Sequence, residues 1–208
     1  MYSANYNEHV ERERARAHKA RGAVPTAPVW TPQHREACDM GPDCSCPQVL
    51  AHASPADQIG YGGSAGGGKS DLQLGKAGTQ HRRAIIFRRV FPSLRGMIER
   101  SREIFNANDA AHGKDSYNEQ LHVWRLGSKQ MLEFGSVQYD QDLKKYQGQP
   151  HDFLGIDEAT EFSEKIVRFL MGWNRTTVLG QACKLVLTFN PPMDESGSWV
   201  IPFFAPWL

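Results

Sequence analysis

The chain has 208 residues, 40% of them hydrophobic, 23% charged and 10% aromatic, with a formal net charge of +1. This is long enough to bury a core without disulfide staples, and the composition excludes collagen-like, mucin-like and wholly disordered classes. No apolar run reaches the roughly 18 residues of a membrane span, because the longest, residues 199–208, is broken by Pro202 and Pro206.

Residues 1–30 are polar and rich in alanine and arginine, and read as a flexible tail or a solvated helix. The start lacks a basic segment followed by an apolar one, so no secretory leader is expected. Residues 31–208 read as one domain. Thr31-Pro32-Gln33 has the cap-then-proline pattern of a helix start. A Cys-rich loop over 34–52 follows, with His34, Cys38, Cys44 and Cys46 within a short stretch and His52 close by. Cys-x-Cys plus outlying ligands is a donor set for tetrahedral Zn²⁺. The spacing is not the usual paired Cys-x₂-Cys, and reduced loop cysteines or a redox-sensitive cluster are the alternatives. Reduced or metal-bound cysteines place the chain in the cytosol.

Further along, Gln58 to Gly62 reads as a short strand, 63–70 as a glycine loop, and Asp71 to Gly78 as a helix. Ala84 to Phe87 reads as a buried strand. Leu121 to Leu126 and Gln130 to Phe134 read as a hairpin around Gly127-Ser128. Phe153 to Ile156 and Lys184 to Phe189 are further apolar strands, and Cys183 before the last reads as a small core residue. Buried strands interspersed with helices predict an α/β fold with a mostly parallel central sheet flanked by helices.

Gly63-Ser64-Ala65-Gly66-Gly67-Gly68-Lys69-Ser70 fills every fixed position of G-x-x-x-x-G-K-[ST]. The glycines let backbone N–H groups curl around phosphate oxygens without a Cβ in the way. Lys69 supplies charge to the β and γ phosphates, and the Ser70 hydroxyl is a ligand for Mg²⁺. The helix starting near Lys69 turns its positive end toward the anion. The bland alternative is a flexible glycine loop. A second strand ends in Asp157-Glu158, expected beside the phosphate-loop strand, where Asp157 can hold Mg²⁺ through its water shell and Glu158 can position a water. On its own this pair could be a solvated strand end. A third strand ends at Asn190-Pro191-Pro192, where Asn190 sits as a γ-phosphate sensor would, or simply forms a turn.

Taken in order, Gly63 to Ser70, Ala84 to Gly96 with its Arg88-Arg89-Val90-Phe91-Pro92-Ser93-Leu94-Arg95-Gly96 run, Tyr146-Gln147-Gly148, Ile156 to Phe162 and Thr188-Phe189-Asn190-Pro191 resemble the ATPase domain of the large terminase subunit of tailed bacteriophages. The resemblance implies a RecA/ASCE-like P-loop NTPase that hydrolyses ATP with Mg²⁺ to drive double-stranded DNA into a procapsid. It implies a homo-oligomeric ring, a small terminase subunit and the capsid portal as partners, and work in the host cytoplasm and transiently on the procapsid, with no membrane. It assigns Lys69 and Ser70 to nucleotide and metal, Asp157 to Mg²⁺, Glu158 to catalysis, Thr188 and Asn190 to coupling, and Gln33 to adenine. Large terminases continue into a nuclease domain, and no nuclease is expected from these residues. The phosphate loop carries no arginine, so Arg88, Arg89 and Arg175 are candidates to supply one, in cis or from a neighbouring subunit. Seven arginines against one glutamate between His81 and Arg102 form a basic segment suited to DNA backbones. A helicase or recombinase-type ATPase, and a non-catalytic nucleotide-dependent assembly module, are the other readings.

Overall fold

The computed structural model describes residues 30–35, 38, 44–106, 116–126 and 130–207. The N-terminal segment read as a tail or helix, and the Gly127-Ser128 turn, lie outside them.

The described residues form an α/β fold. A seven-stranded sheet runs in the order β1-β7-β6-β2-β5-β4-β3, with β1 Gln58–Gly62, β2 Arg83–Arg88, β3 Ser116–Asn118, β4 Val123–Leu126, β5 Gln130–Ser136, β6 Phe153–Asp157 and β7 Lys184–Phe189. Every pairing from β1 to β5 is parallel, and β4 and β3 add an antiparallel edge. The helices are α1 Pro47–Ala53, α2 Lys69–Gln80, α3 Arg95–Asn106, α4 Glu164–Met171 and α5 Val200–Phe204.

Strand periodicity distributes the core between two faces. On β2, Ala84 and Ile86 join the cluster under α2 and α3, whereas Ile85 and Phe87 join the cluster under α4. On β7, Val186 faces the first side and Leu185 and Leu187 the second. On β6, Phe153 lies on the α2 side and Leu154 and Ile156 on the other. The same alternation carries Asp157 to the α2 side at the strand's carboxyl end, where its carboxylate meets Ser70 of α2.

Three sequence expectations change. The acidic strand is not the neighbour of the phosphate-loop strand, because β7 inserts between β1 and β6. Thr31-Pro32-Gln33 starts no helix, and the described residues 30–35 have no regular structure. Trp30 is buried, only 8% exposed, and packs where α2 has Gly75: a Cβ there would lie 2.1 Å from the indole ring. The chain beyond Trp30 is thereby held against α1, and the Gln33 N–H donates to Gln48 Oε1 instead of entering a helix. Among the described residues the first helix starts later, with Pro47 in its opening turn after Cys46. Cys183 is half-buried rather than in the core, with burial, then the nearby Asp152 and Asp57 charges, pushing its thiol pKa up.

Candidate nucleotide-binding site

The loop between β1 and α2 takes three glycines into positive φ: Gly63 at 148°, Gly66 at 81° and Gly68 at 68°. A left-handed Gly68 immediately precedes Lys69, the first residue of α2. Side chains at 63 and 66 would meet nothing within 4 Å, so this backbone borders open space. Its shape is held by its surroundings. Gly63 N–H donates to Phe189 O at the end of β7 (3.2 Å). Tyr61 Oη donates to Gly67 O at 3.1 Å, and Gln48 Nε2 donates to Gly68 O at 2.9 Å. Lys69 Nζ folds back on Gly63 O and Ser64 O, at 2.9 and 2.7 Å.

Ser70, one residue on, reaches the acidic strand: its Oγ donates to Asp157 Oδ2 at 3.3 Å. Asp157 is 1% exposed, so its charge needs partners. Arg88, at the carboxyl end of β2, supplies them: Nε and Nη2 reach Asp157 Oδ2 at 2.9 and 2.7 Å. The same Nη2 lies 3.3 Å from Glu158 Oε1. On the other oxygen, Thr188 Oγ1 donates to Asp157 Oδ1 at 2.5 Å and accepts from Gln73 Nε2 at 2.8 Å. Glu158 takes a left-handed φ of 55°, which costs a non-glycine residue about 1–3 kcal/mol and clusters at functional sites. Beside it, Glu161 has its pKa raised by burial, by a hydrogen bond with Glu158 and by that residue's charge.

The donor set suits a metal–triphosphate. A hydroxyl and a carboxylate stand together at a helix start, below a concave backbone and one ammonium group, as Mg²⁺ and phosphates require. Lys69, Ser70, Asp157, Glu158 and Thr188 meet here. Gln33 sits at the loop's far end, its Oε1 3.6 Å from where a Gly68 Cβ would be. Asn190 lies exposed just past β7, with no hydrogen-bond partner among the described residues. Of the arginine candidates, Arg88 is in the site. Arg89 turns to Val137 O at 2.7 Å. Arg175 packs over Trp173 at 4.6 Å, near the opposite, amino end of the sheet, where Asn174 bridges to His151.

The basic segment is no single patch. Arg82 just precedes β2 and Arg83 starts it, their backbone N–H groups held by Asp152 at 3.1 Å each. Arg88 and Arg89 end the strand. On α3, Arg95 pairs with Glu99, Arg100 with Asp71 and Glu103, and Arg102 with Glu119.

Sequence reading missed Gln73, Gln48, Tyr61 and Glu161. Gln73 was within reach, because three residues after Ser70 on one helix is the same face. Gln48 comes from a separate helix and gave no signal.

No family model and no curated protein matches the chain. Among solved structures, the large terminase of a thermophilic bacteriophage superimposes with a TM-score of 0.54 at 17% identity, over 70% of this chain and 38% of that one. The same phage's protein in complex with ADP gives 0.51 at 17% identity, over 69% and 37%. The large terminase ATPase domain of Thermus phage P74-26, as a point mutant, gives 0.52 at 16% identity, over 76% and 68%. This chain therefore spans well under half of the first of these proteins. At such identities the likeness is one of fold, and the fold is that of the phage large-terminase ATPase domains.

Proposed function

We propose that this chain is the ATP-hydrolysing part of a viral DNA-packaging motor. The observation that carries the reading is the 3.3 Å contact between Ser70 of the phosphate loop and Asp157 of the acidic strand. Two motifs far apart in sequence become one metal-and-phosphate site. The loop amides and Lys69 hold the phosphates, with Lys69 leaving the Gly63 and Ser64 carbonyls for the β and γ oxygens. Ser70 and Asp157 are the residues to hold Mg²⁺, which when bound neutralises charge on the phosphates. Glu158 orients a water in line with the γ phosphorus and accepts its proton as the bond to the β-phosphate oxygen breaks. Arg88, touching both carboxylates through one nitrogen, screens their mutual repulsion and fixes their positions. Thr188 reports the state of Asp157 to β7 and so to Gly63 and the exposed Asn190. Double-stranded DNA, a ring of like subunits, a small terminase subunit and the capsid portal are the partners this reading carries, and the host cytoplasm its setting.

The test is ATP turnover by wild type and Glu158→Gln, with and without duplex or single-stranded DNA. The expected result is duplex-stimulated turnover that falls by about 10²–10⁴ in the variant while nucleotide binding persists. Unchanged turnover in Glu158→Gln sinks the catalytic assignment. Stimulation by single strands alone moves the reading to a helicase or recombinase type. Nucleotide binding without any turnover in wild type moves it to an assembly module.

A further inference from the structure

The segment leading into the phosphate loop brings four metal-ligating side chains together. His34, Cys38, Cys44 and Cys46 each offer one donor atom, and all four atoms lie within 4.8 Å of one another. His34 Nδ1 stands 3.3 Å from Cys38 Sγ and 3.3 Å from Cys44 Sγ, and the two sulfurs are 3.2 Å apart. One tetrahedral Zn²⁺, with bonds of about 2.0–2.3 Å, holds its donors roughly 3.5–3.8 Å from one another. The cluster contains three sulfurs, one imidazole and no carboxylate, a soft set that favours zinc over Mg²⁺ or Ca²⁺. Cys46 is 3% exposed and accepts a hydrogen bond from the Arg35 backbone N–H at 3.2 Å. Such outer contacts orient a ligating thiolate.

We infer that His34, Cys38, Cys44 and Cys46 bind one structural Zn²⁺ that clips the chain entering the domain onto the phosphate loop.

Regular structure gives this segment little support beyond the Trp30 and Gln33–Gln48 contacts. Residues 30–35 have no regular structure, and α1 has seven residues, short of the ~12–15 a helix needs to persist alone. The ligands bracket a functional contact. His34 follows Gln33, whose N–H donates to Gln48 Oε1, and Cys46 precedes Pro47 and Gln48. Gln48 then donates to Gly68 O at 2.9 Å. Metal bound at 34 and 46 therefore fixes both arms of the contact that braces Gly68. Its effect on nucleotide rests on the function proposed above, whereas metal binding does not.

The experiment measures zinc by mass spectrometry in the whole chain, purified under reducing conditions from zinc-supplemented cells. One zinc per chain is expected in wild type and in Cys183→Ser, and loss in Cys44→Ser and in His34→Ala. Cobalt in place of zinc is expected to show tetrahedral d–d bands with thiolate charge-transfer absorption. Metal-free wild type, a Cys38–Cys44 disulfide in its place, octahedral cobalt, or full zinc retained by Cys44→Ser would each overturn the site. ATP-analogue affinity is expected to weaken several-fold in Cys44→Ser. Lys69→Ala is expected to weaken nucleotide binding with zinc intact, so a failure of the nucleotide reading leaves the metal result standing. Undiminished nucleotide affinity in zinc-free Cys44→Ser would overturn the clip.

Discussion

Thr188 shows how one hydroxyl links three elements. It is fully buried, donates to Asp157 Oδ1 at 2.5 Å and accepts from Gln73 Nε2 at 2.8 Å. Gln73 Oε1 has no partner among the described residues, so the amide is anchored at its nitrogen alone. Thr188→Val keeps the shape and removes the hydroxyl. It leaves the Gln73 nitrogen buried without an acceptor and Asp157 without one donor, a loss of about 1–3 kcal/mol. Chemical denaturation is expected to show that loss, with a fall in ATP turnover beyond what the unfolded fraction explains. Thr188→Ser is expected to restore both, and a Val variant as stable and active as wild type would remove the network from the argument. Asp157 was legible in the sequence because a carboxylate ending an apolar strand has few other uses once a phosphate loop is present. Thr188 was named through resemblance, and its hydroxyl's partners were not legible, because Gln73 comes from α2, 115 positions away along the chain.

Whole elements were read according to how strong their periodicity is. β1 and β7 match their expected bounds, and β6 gains only Asp157. β6 and β7 are short apolar runs closed by a carboxylate or proline, the length and flanks of a buried strand. β1, by contrast, is short, glycine-rich and mostly exposed, and was legible by its place before the glycine loop. The strand order was not legible. Which strand inserts between β1 and β6 depends on crossovers that the pattern along a single strand does not record. The helix expected at Thr31 failed for a tertiary reason, since Trp30 docks on α2 and dictates the path that follows. That docking depends on the lack of a side chain at Gly75, where a Cβ would stand 2.1 Å from the Trp30 ring. In Gly75→Val the indole has to leave its site, and overpacking of this kind costs about 1–3 kcal/mol. The expected readout is a red-shifted tryptophan emission, a lower Tm and weaker nucleotide binding through the displaced Gln33–Gln48 contact. A variant with unchanged emission and Tm would show that Trp30 does not pack on α2.

At the scale of the molecule, α2 is the part most constrained from all sides. It lies between the sheet, α3, Trp30 and α1, and buries residues 72–78 without a solvent face over that stretch. The arrangement aims the helix start at the carboxyl ends of the strands, the usual place for ligands in open α/β sheets. It also traps a cation. Lys76 is 1% exposed, and its ammonium donates to His52 O at 2.7 Å. Burial first, and the charge of Lys184 second, push its pKa down to about 8 from 10.5. His52, packed against it, has its own pKa lowered by burial and then by the Lys76 charge. Below pH 8 Lys76 is protonated in both the folded and the unfolded chain, and folding bears the full cost of burying the charge. Between pH 8 and 10.5 the folded chain has released the proton while the unfolded chain still holds it, so this cost fades as pH rises. Above 10.5 both forms are neutral and it is gone. Lys76→Met, of similar length and apolar, is therefore expected to stabilise the fold at pH 7 by about 1–3 kcal/mol. In a domain of this size that raises Tm by several degrees. The gain is expected to shrink steadily as melting is repeated at higher pH up to 10. If Lys76→Met melts lower than wild type at pH 7, or its advantage does not change with pH, the buried ammonium is not the liability that this packing makes it.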